Sequence, residues 1–224
     1  MFFNVHTHQT IANESEIAIQ NLFVHHTQAL HEGYYSASLH PWFLKEIDTV
    51  QAISISMELA ENEQILAIGE AGLDRLVDFP FEKQLQIFKS QIALAESVQK
   101  PLIIHCVRAY SEILALRKSI RPTQTWILHG FTGNAQIAQD CMCHGCYLSF
   151  GHWLFNANSK IPTLFTELPL EAVFLETDDS NLTIQQIYNQ AALLKNISLK
   201  ALETQISANF VRVFGNYQIK NQKI

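Results

Sequence analysis

Six residues of this chain could do metal chemistry: His6, His8, Glu70, His105, His129 and Asp178. His6-Thr7-His8 lies on an extended, apolar run, where the two-residue side-chain period points both imidazoles to one side and lets both reach one ion. Each of the other four follows a short apolar, β-rich run. A set of imidazoles and carboxylates admits Zn, Mn, Mg, Fe or Ni; Zn, Mn and Fe suit it best, and Mg would prefer more oxygen. Glu70 stands in sequence between His8 and His105, where one carboxylate could bridge two divalent ions. Two ions about 3.5–4 Å apart activate water and stabilise both the attacking and the leaving oxygen of a displacement. A lone His-x-His is ordinarily a surface or packing feature. Its coincidence with further ligand types at successive strand ends makes a metal site the better reading.

Those residues need elements that bring them together. Eight β-rich runs follow one another: 2–5, 17–24, 34–39, 65–68, 102–104, 125–128, 146–149 and 172–175. Helical periodicity fits 48–62, 81–99, 109–119, 134–143, 183–195 and 198–214, with Asp48 and Gln51 resembling a capping box and Ser198 placed as an N-cap. Strands alternating with helices predict an α/β (β/α)8 TIM-type barrel, for which ~200 residues is the lower edge. Only about ten residues separate the first three runs, too few for full crossover helices, so the barrel is expected to be trimmed and distorted there. An open doubly wound sheet shares the alternation but would spread the six residues along a line. A barrel converges them on one face. No repeat or linker divides residues 1–224, which read as a single domain.

A net charge of −6 argues against charge-driven adhesion to DNA or anionic lipid, though not against a phosphate substrate held by metal ions. No apolar run nears the ~20 residues of a membrane span, and no secretory leader pattern follows Met1, so a cytoplasmic protein without a membrane or obligate protein partner is expected. Four cysteines in such a chain do not require disulfides. Cys141, Cys143 and Cys146 lie near His144 but lack the usual zinc spacing, and read as packing residues at a helix-to-strand junction. His25, His26 and His31 read as solvated. His152 and Trp153 follow the seventh run, where stacking on a base competes with ordinary loop packing. No serine-nucleophile elbow, Walker loop or dinucleotide loop is present.

The motifs resemble the TatD-type metal-dependent deoxyribonucleases of the amidohydrolase-like barrel superfamily. The similarity runs through His6-Thr7-His8, Leu39-His40-Pro41, Gly69-Glu70-Ala71-Gly72-Leu73-Asp74, Pro101-Leu102-Ile103-Ile104-His105, His129-Gly130-Phe131-Thr132-Gly133, Glu176-Thr177-Asp178 and Ala208-Asn209-Phe210. It implies that His6, His8 and Asp178 hold one ion, His105 and His129 the other, and that Glu70 bridges. It also implies a substrate-rim role for His40. The chain departs from the family pattern at Asn4, where an Asp is usual, and at Val107-Arg108, where the Arg comes one residue later. It departs again at Arg75, where an aromatic is frequent, and at Asp179-Ser180, where a small residue and Pro are common.

The leading expectation is a two-metal hydrolase cleaving phosphodiester bonds of DNA at its ends, its partner a nucleic-acid end or other phosphodiester substrate, with Glu70 and Asp178 catalytic, Asp178 accepting the proton of the attacking water, and Arg108 meeting a flanking phosphate. A second reading keeps the metals and cleaves an amide or aminoacyl ester. Many barrels of that kind place a carboxylated lysine where Glu70 stands, which favours the first. A third, a non-catalytic metal-binding descendant, would be marked by a lost ligand, and none is lost.

Overall fold

The computed structural model describes residues 1–10, 15–24 and 30–215. Eight strands form one parallel sheet in sequence order: β1 (Phe2–Thr7), β2 (Glu16–Phe23), β3 (Tyr34–Ser38), β4 (Ile65–Asp74), β5 (Leu102–Val107), β6 (Trp126–Leu128), β7 (Cys146–Phe150) and β8 (Val173–Leu175). The sheet curls until its ends meet. Thr7 and Asp178 form a parallel bridge, Asp178 N–H donates to His6 C=O at 3.1 Å, and His8 N–H donates to Asp178 C=O at 3.1 Å. The (β/α)8 barrel is thereby closed at the residues with metal-binding chemistry, and the open sheet is excluded.

Helices cover the strands from β3 onward: α1 (Thr49–Ala60), α2 (Phe81–Ser97), α3 (Tyr110–Ile120), α4 (Ala135–Cys143), α5 (Ile161–Glu167), α6 (Ile184–Lys195) and α7 (Leu199–Phe214). Each buries an apolar stripe on a strand surface that is almost wholly inaccessible, as the burial of Phe88, Trp126, Ile187 and Phe210 shows. Only residues 8–15 separate β1 from β2 and only 24–33 separate β2 from β3, connections as short as the sequence led one to expect. His25 and His26 lie outside the described residues, and His31 is exposed. Asp48 caps α1 through Val50 and Gln51 N–H, and Ser198 caps α7 through Ala201 N–H. The fully reciprocal capping box is at Thr183 and Gln186. None of the described helices is long and apolar enough to cross a membrane.

Two differences from the sequence reading matter. The short α5 has no periodic signature in the sequence, because its seven residues give too few turns for a period to register. More consequentially, β4 does not stop at Ile68 but runs on to Asp74, so Glu70 lies inside a strand rather than at its end. The apolar signal ends early because Gly69, Glu70 and Gly72 interrupt it. A shift of register against β5 between Ile68 and Ala71 accommodates the extra length. Gly72 has φ +155°, and a Cβ there would stand 1.9 Å from the His105 carbonyl oxygen, so only glycine lets the two strands approach.

Candidate metal centre

The six residues converge at the carboxyl end of the barrel, around the side chain of Glu70. One of its oxygens, Oε1, lies 2.7 Å from His129 Nε2, 2.8 Å from His105 Nδ1 and 3.0 Å from His40 Nε2. The other, Oε2, lies 3.3 Å from His6 Nε2 and 3.4 Å from His8 Nε2. Asp178 Oδ1 faces the same two imidazoles at 3.5 and 3.4 Å. Glu70 is buried, whereas the Asp178 side chain keeps 23% of its surface open. His40, expected on the rim, is buried and belongs to the cluster. Arg108 is exposed, with φ 53°, just past the end of β5.

The backbone sets this geometry. His6 is the inward-facing residue near the end of β1, and His8 follows at the two-residue period. Asp178 takes a left-handed conformation, φ 52°, which Asp tolerates better than most residues, and its main chain bonds on either side of Thr7, to His6 C=O and from His8 N–H. Glu70 N–H donates to Asn21 Oδ1 at 2.8 Å, which pins the strand at the centre of the cluster.

Two acids behind the imidazoles, Asp74 and Glu176, are not among the residues that the sequence pattern marks as ligands. Asp74 Oδ2 lies 3.2 Å from His105 Nε2 and accepts the Trp42 indole N–H at 3.0 Å, while Leu76 N–H donates to Oδ1 at 2.8 Å. Glu176 Oε1 accepts Gly130 N–H at 2.6 Å and lies 3.5 Å from His129 Nδ1. In each pair one ring nitrogen faces a carboxylate and the other faces Glu70, the arrangement by which proteins orient histidine ligands. Asp74 stands an even step from Glu70 along β4, whereas Glu176 lies just past the end of β8, where no strand period applies. Asn4 is part of the same support. Its Nδ2 donates to Thr177 Oγ1 at 2.8 Å and to Glu16 Oε1 at 2.9 Å, and its Oδ1 accepts Thr177 N–H at 3.1 Å.

The electrostatics are those of a cation site. Burial alone would raise the Glu70 pKa, but His129, His40 and His6 together with the contact to His105 outweigh it and hold the carboxyl well below its usual range. Burial likewise opposes ionisation of Asp178, and His6 and His8 hold it low. His8 is pushed up to about 9: burial opposes the shift, and Asp178 and Glu70 overcome it. Burial lowers His40 against the pull of Glu70. Both ring nitrogens of His6 and of His129, and Glu70 Oε2, are buried yet lack a hydrogen-bond partner. They sit at close distance to opposite groups without hydrogen-bond alignment, and such unsatisfied atoms are costly unless something else engages them. Divalent cations fit: His6, His8 and Asp178 present ligand atoms within 4.8 Å of one another, as do His6, Glu70 and His129, and His40, Glu70 and His105. No such group among the described residues includes a cysteine, and Cys141 and Cys146 are buried in the core. A cavity of about 420 Å³ along β2 and β3, lined by residues such as Glu16 and Tyr34, contains none of these residues.

Residues 5–215 match the family described as TatD related DNase. An uncharacterized metal-dependent hydrolase of Bacillus subtilis, YabD, is 32% identical over 198 residues, covering 81% of this chain and 77% of its own. The 3'-5' ssDNA/RNA exonuclease TatD of Erwinia tasmaniensis is 28% identical over 200 residues, covering 80% and 77%. Among solved structures, the TatD homologue YjjV of Escherichia coli superposes with a TM-score of 0.84 at 21% identity, covering 96% of this chain and 98% of its own.

Proposed function

This chain belongs to the TatD related DNase family, and from that premise we propose that it is a divalent-metal-dependent hydrolase that cleaves phosphodiester bonds at the ends of single-stranded nucleic acid. The observation that carries the proposal is the position of Glu70, whose two carboxylate oxygens face two different sets of imidazoles. His6, His8 and Asp178 would hold one ion, and His105 and His129 a second, with Glu70 between them. Bound there, paired divalent ions supply Lewis-acid activation of water and neutralise charge on a transferring phosphoryl group.

The chain's own residues do the rest. Asp178 is the more open of the two carboxylates and is the group available to take the proton of the attacking water at Oδ1. His40 accepts Trp42 N–H at Nδ1, so Nε2 carries its hydrogen and directs it at Glu70 Oε1, holding the carboxylate in place. Asp74 and Glu176 fix the ring orientations of His105 and His129. Arg108 offers a cation for a flanking phosphate. The free cysteines suit a reducing compartment, and the cytoplasm is the setting we propose. The chain acts as one domain over residues 1–224.

The second reading, amide or ester cleavage, gains nothing from the site, since β4 offers Glu70 and no lysine. The test presents one metal-loaded preparation with single-stranded DNA and RNA oligonucleotides, a chromogenic phosphodiester, and amide and aminoacyl-ester substrates, with and without chelator. Metal-dependent shortening of the oligonucleotides is expected. Activity that survives chelation, or hydrolysis of esters or amides without either phosphodiester, would overturn the proposal.

A further inference from the structure

A protein of net charge −6 has to hold a polyanion by something other than bulk attraction. The cations near the mouth are mostly engaged: Arg75 pairs with Glu112 at 2.5 Å and lies over Phe81 at 3.9 Å, and Lys45 pairs with Asp78 at 2.6 Å. What the mouth does present is an aromatic surface. Trp42 follows β3 and is 56% exposed, although it is anchored from within. Its indole N–H donates to Asp74 Oδ2 at 3.0 Å, the oxygen that also faces His105 Nε2. Its ring stands edge-on to His40, with centroids 4.8 Å apart.

An exposed tryptophan costs hydration free energy, and a buried polar edge with an open body is the form such residues take at binding surfaces. Here the anchoring atom belongs to the carboxylate that orients a candidate metal ligand. We propose that Trp42 is the stacking platform for the nucleobase next to the scissile phosphodiester, and that affinity for single strands comes mainly from stacking rather than from phosphate contacts. The inference rests on the nuclease reading above and adds the contact that selects unpaired ends: every base has a π-face, but only an unpaired one can offer it. Base identity is then read weakly, and the salt dependence of binding is shallow. Each neutralised phosphate contributes roughly −0.7 to the slope of log affinity against log salt on single strands, so one or two contacts keep its magnitude below about 1.5.

The test uses the metal-loaded protein and a single-stranded oligothymidylate whose phosphorothioate linkages resist cleavage. A matched oligonucleotide lacks its terminal bases. Wild type should bind the complete strand roughly tenfold or more tightly than the abasic one. Trp42→Ala should lose that preference while binding the abasic strand as wild type does, and Trp42→Phe should retain part of it. The salt slope should be the same for all three proteins. A Trp42→Ala protein that still prefers the complete strand, or that loses affinity for both strands equally, would overturn the proposal; the equal loss would assign Trp42 a purely structural role through Asp74. A wild-type slope steeper than about −1.5 would do so too. Cleavage of unmodified oligonucleotide by the same wild-type preparation is scored separately. Its absence, with no binding to either strand, would overturn the nuclease reading and this inference with it.

Discussion

Replacing Glu70 by Gln keeps the shape of the side chain but removes the negative charge that five imidazoles face. If paired ions activate the water as proposed, the variant should lose most of its bound metal by elemental analysis and orders of magnitude in kcat on an oligonucleotide. Asp74 and Glu176 act one layer out. Asp74→Asn and Glu176→Gln should each weaken metal affinity about 10- to 100-fold in chelator competition. Their thermal midpoints without metal should stay near wild type. Unchanged affinity in both variants would show that His105 and His129 are oriented by packing alone.

Among the elements, the pairing of β4 with β5 carries the site, since it holds Glu70 beside His105. Gly72→Ala places a Cβ against the His105 carbonyl in a backbone region closed to alanine. The expected cost is about 3 kcal/mol or more in urea unfolding, with metal binding lost in the fraction that still folds. A cost under about 1 kcal/mol would mean that the strands part easily. The end of α2 fastens β6 in a different way. Glu96 accepts Thr123 N–H at 2.9 Å, Thr123 Oγ–H at 2.8 Å and Gln124 N–H at 2.8 Å, just before Trp126. Partial burial pushes its pKa up, but these bonds outweigh it and hold the carboxyl below its usual value. A depressed carboxylate pKa stabilises the fold above the unfolded value, and that stability is lost as pH falls through the folded value. Glu96→Gln should therefore cost about 1 kcal/mol at pH 7, and the difference from wild type should shrink below about pH 4.

At the scale of the whole molecule, the barrel closes at the join between β8 and β1, and that join is polar. Asn4 clamps Thr177, Thr177 Oγ–H reaches Thr7 Oγ at 2.9 Å, and the Tyr188 hydroxyl donates to Phe3 C=O at 3.0 Å while accepting its N–H at 3.1 Å. Asn4 suits its place beside Glu16. An aspartate there could not donate to Glu16 Oε1 and would set two carboxylates against each other. Asn4→Asp should cost about 1–3 kcal/mol in denaturant unfolding at pH 7, and adding Glu16→Gln should recover about 1 kcal/mol or more of it. Strict additivity of the two changes would show that Asn4 and Glu16 are not coupled.

The ligand types, their order along the chain and the strand–helix alternation were all legible in the sequence, because period and residue chemistry are local properties. From them follow the barrel, the short first connections and the candidate set His6, His8, Glu70, His105, His129 and Asp178, which the fold brings to one end. Depth and partnership were not legible. Whether His40 lies on the rim or within reach of Glu70 depends on where β3 ends relative to β4, which sheet register decides. The length of β4 was hidden because two glycines that read as a break are what lets it lie against β5. Asp74 and Glu176 become partners of His105 and His129 only when β5 and β6 curl between β4 and β8. Trp42 gains its anchor the same way, from an aspartate 32 residues on. Such contacts are made across the sheet between residues distant in sequence, and only closure of the barrel brings them within bonding distance.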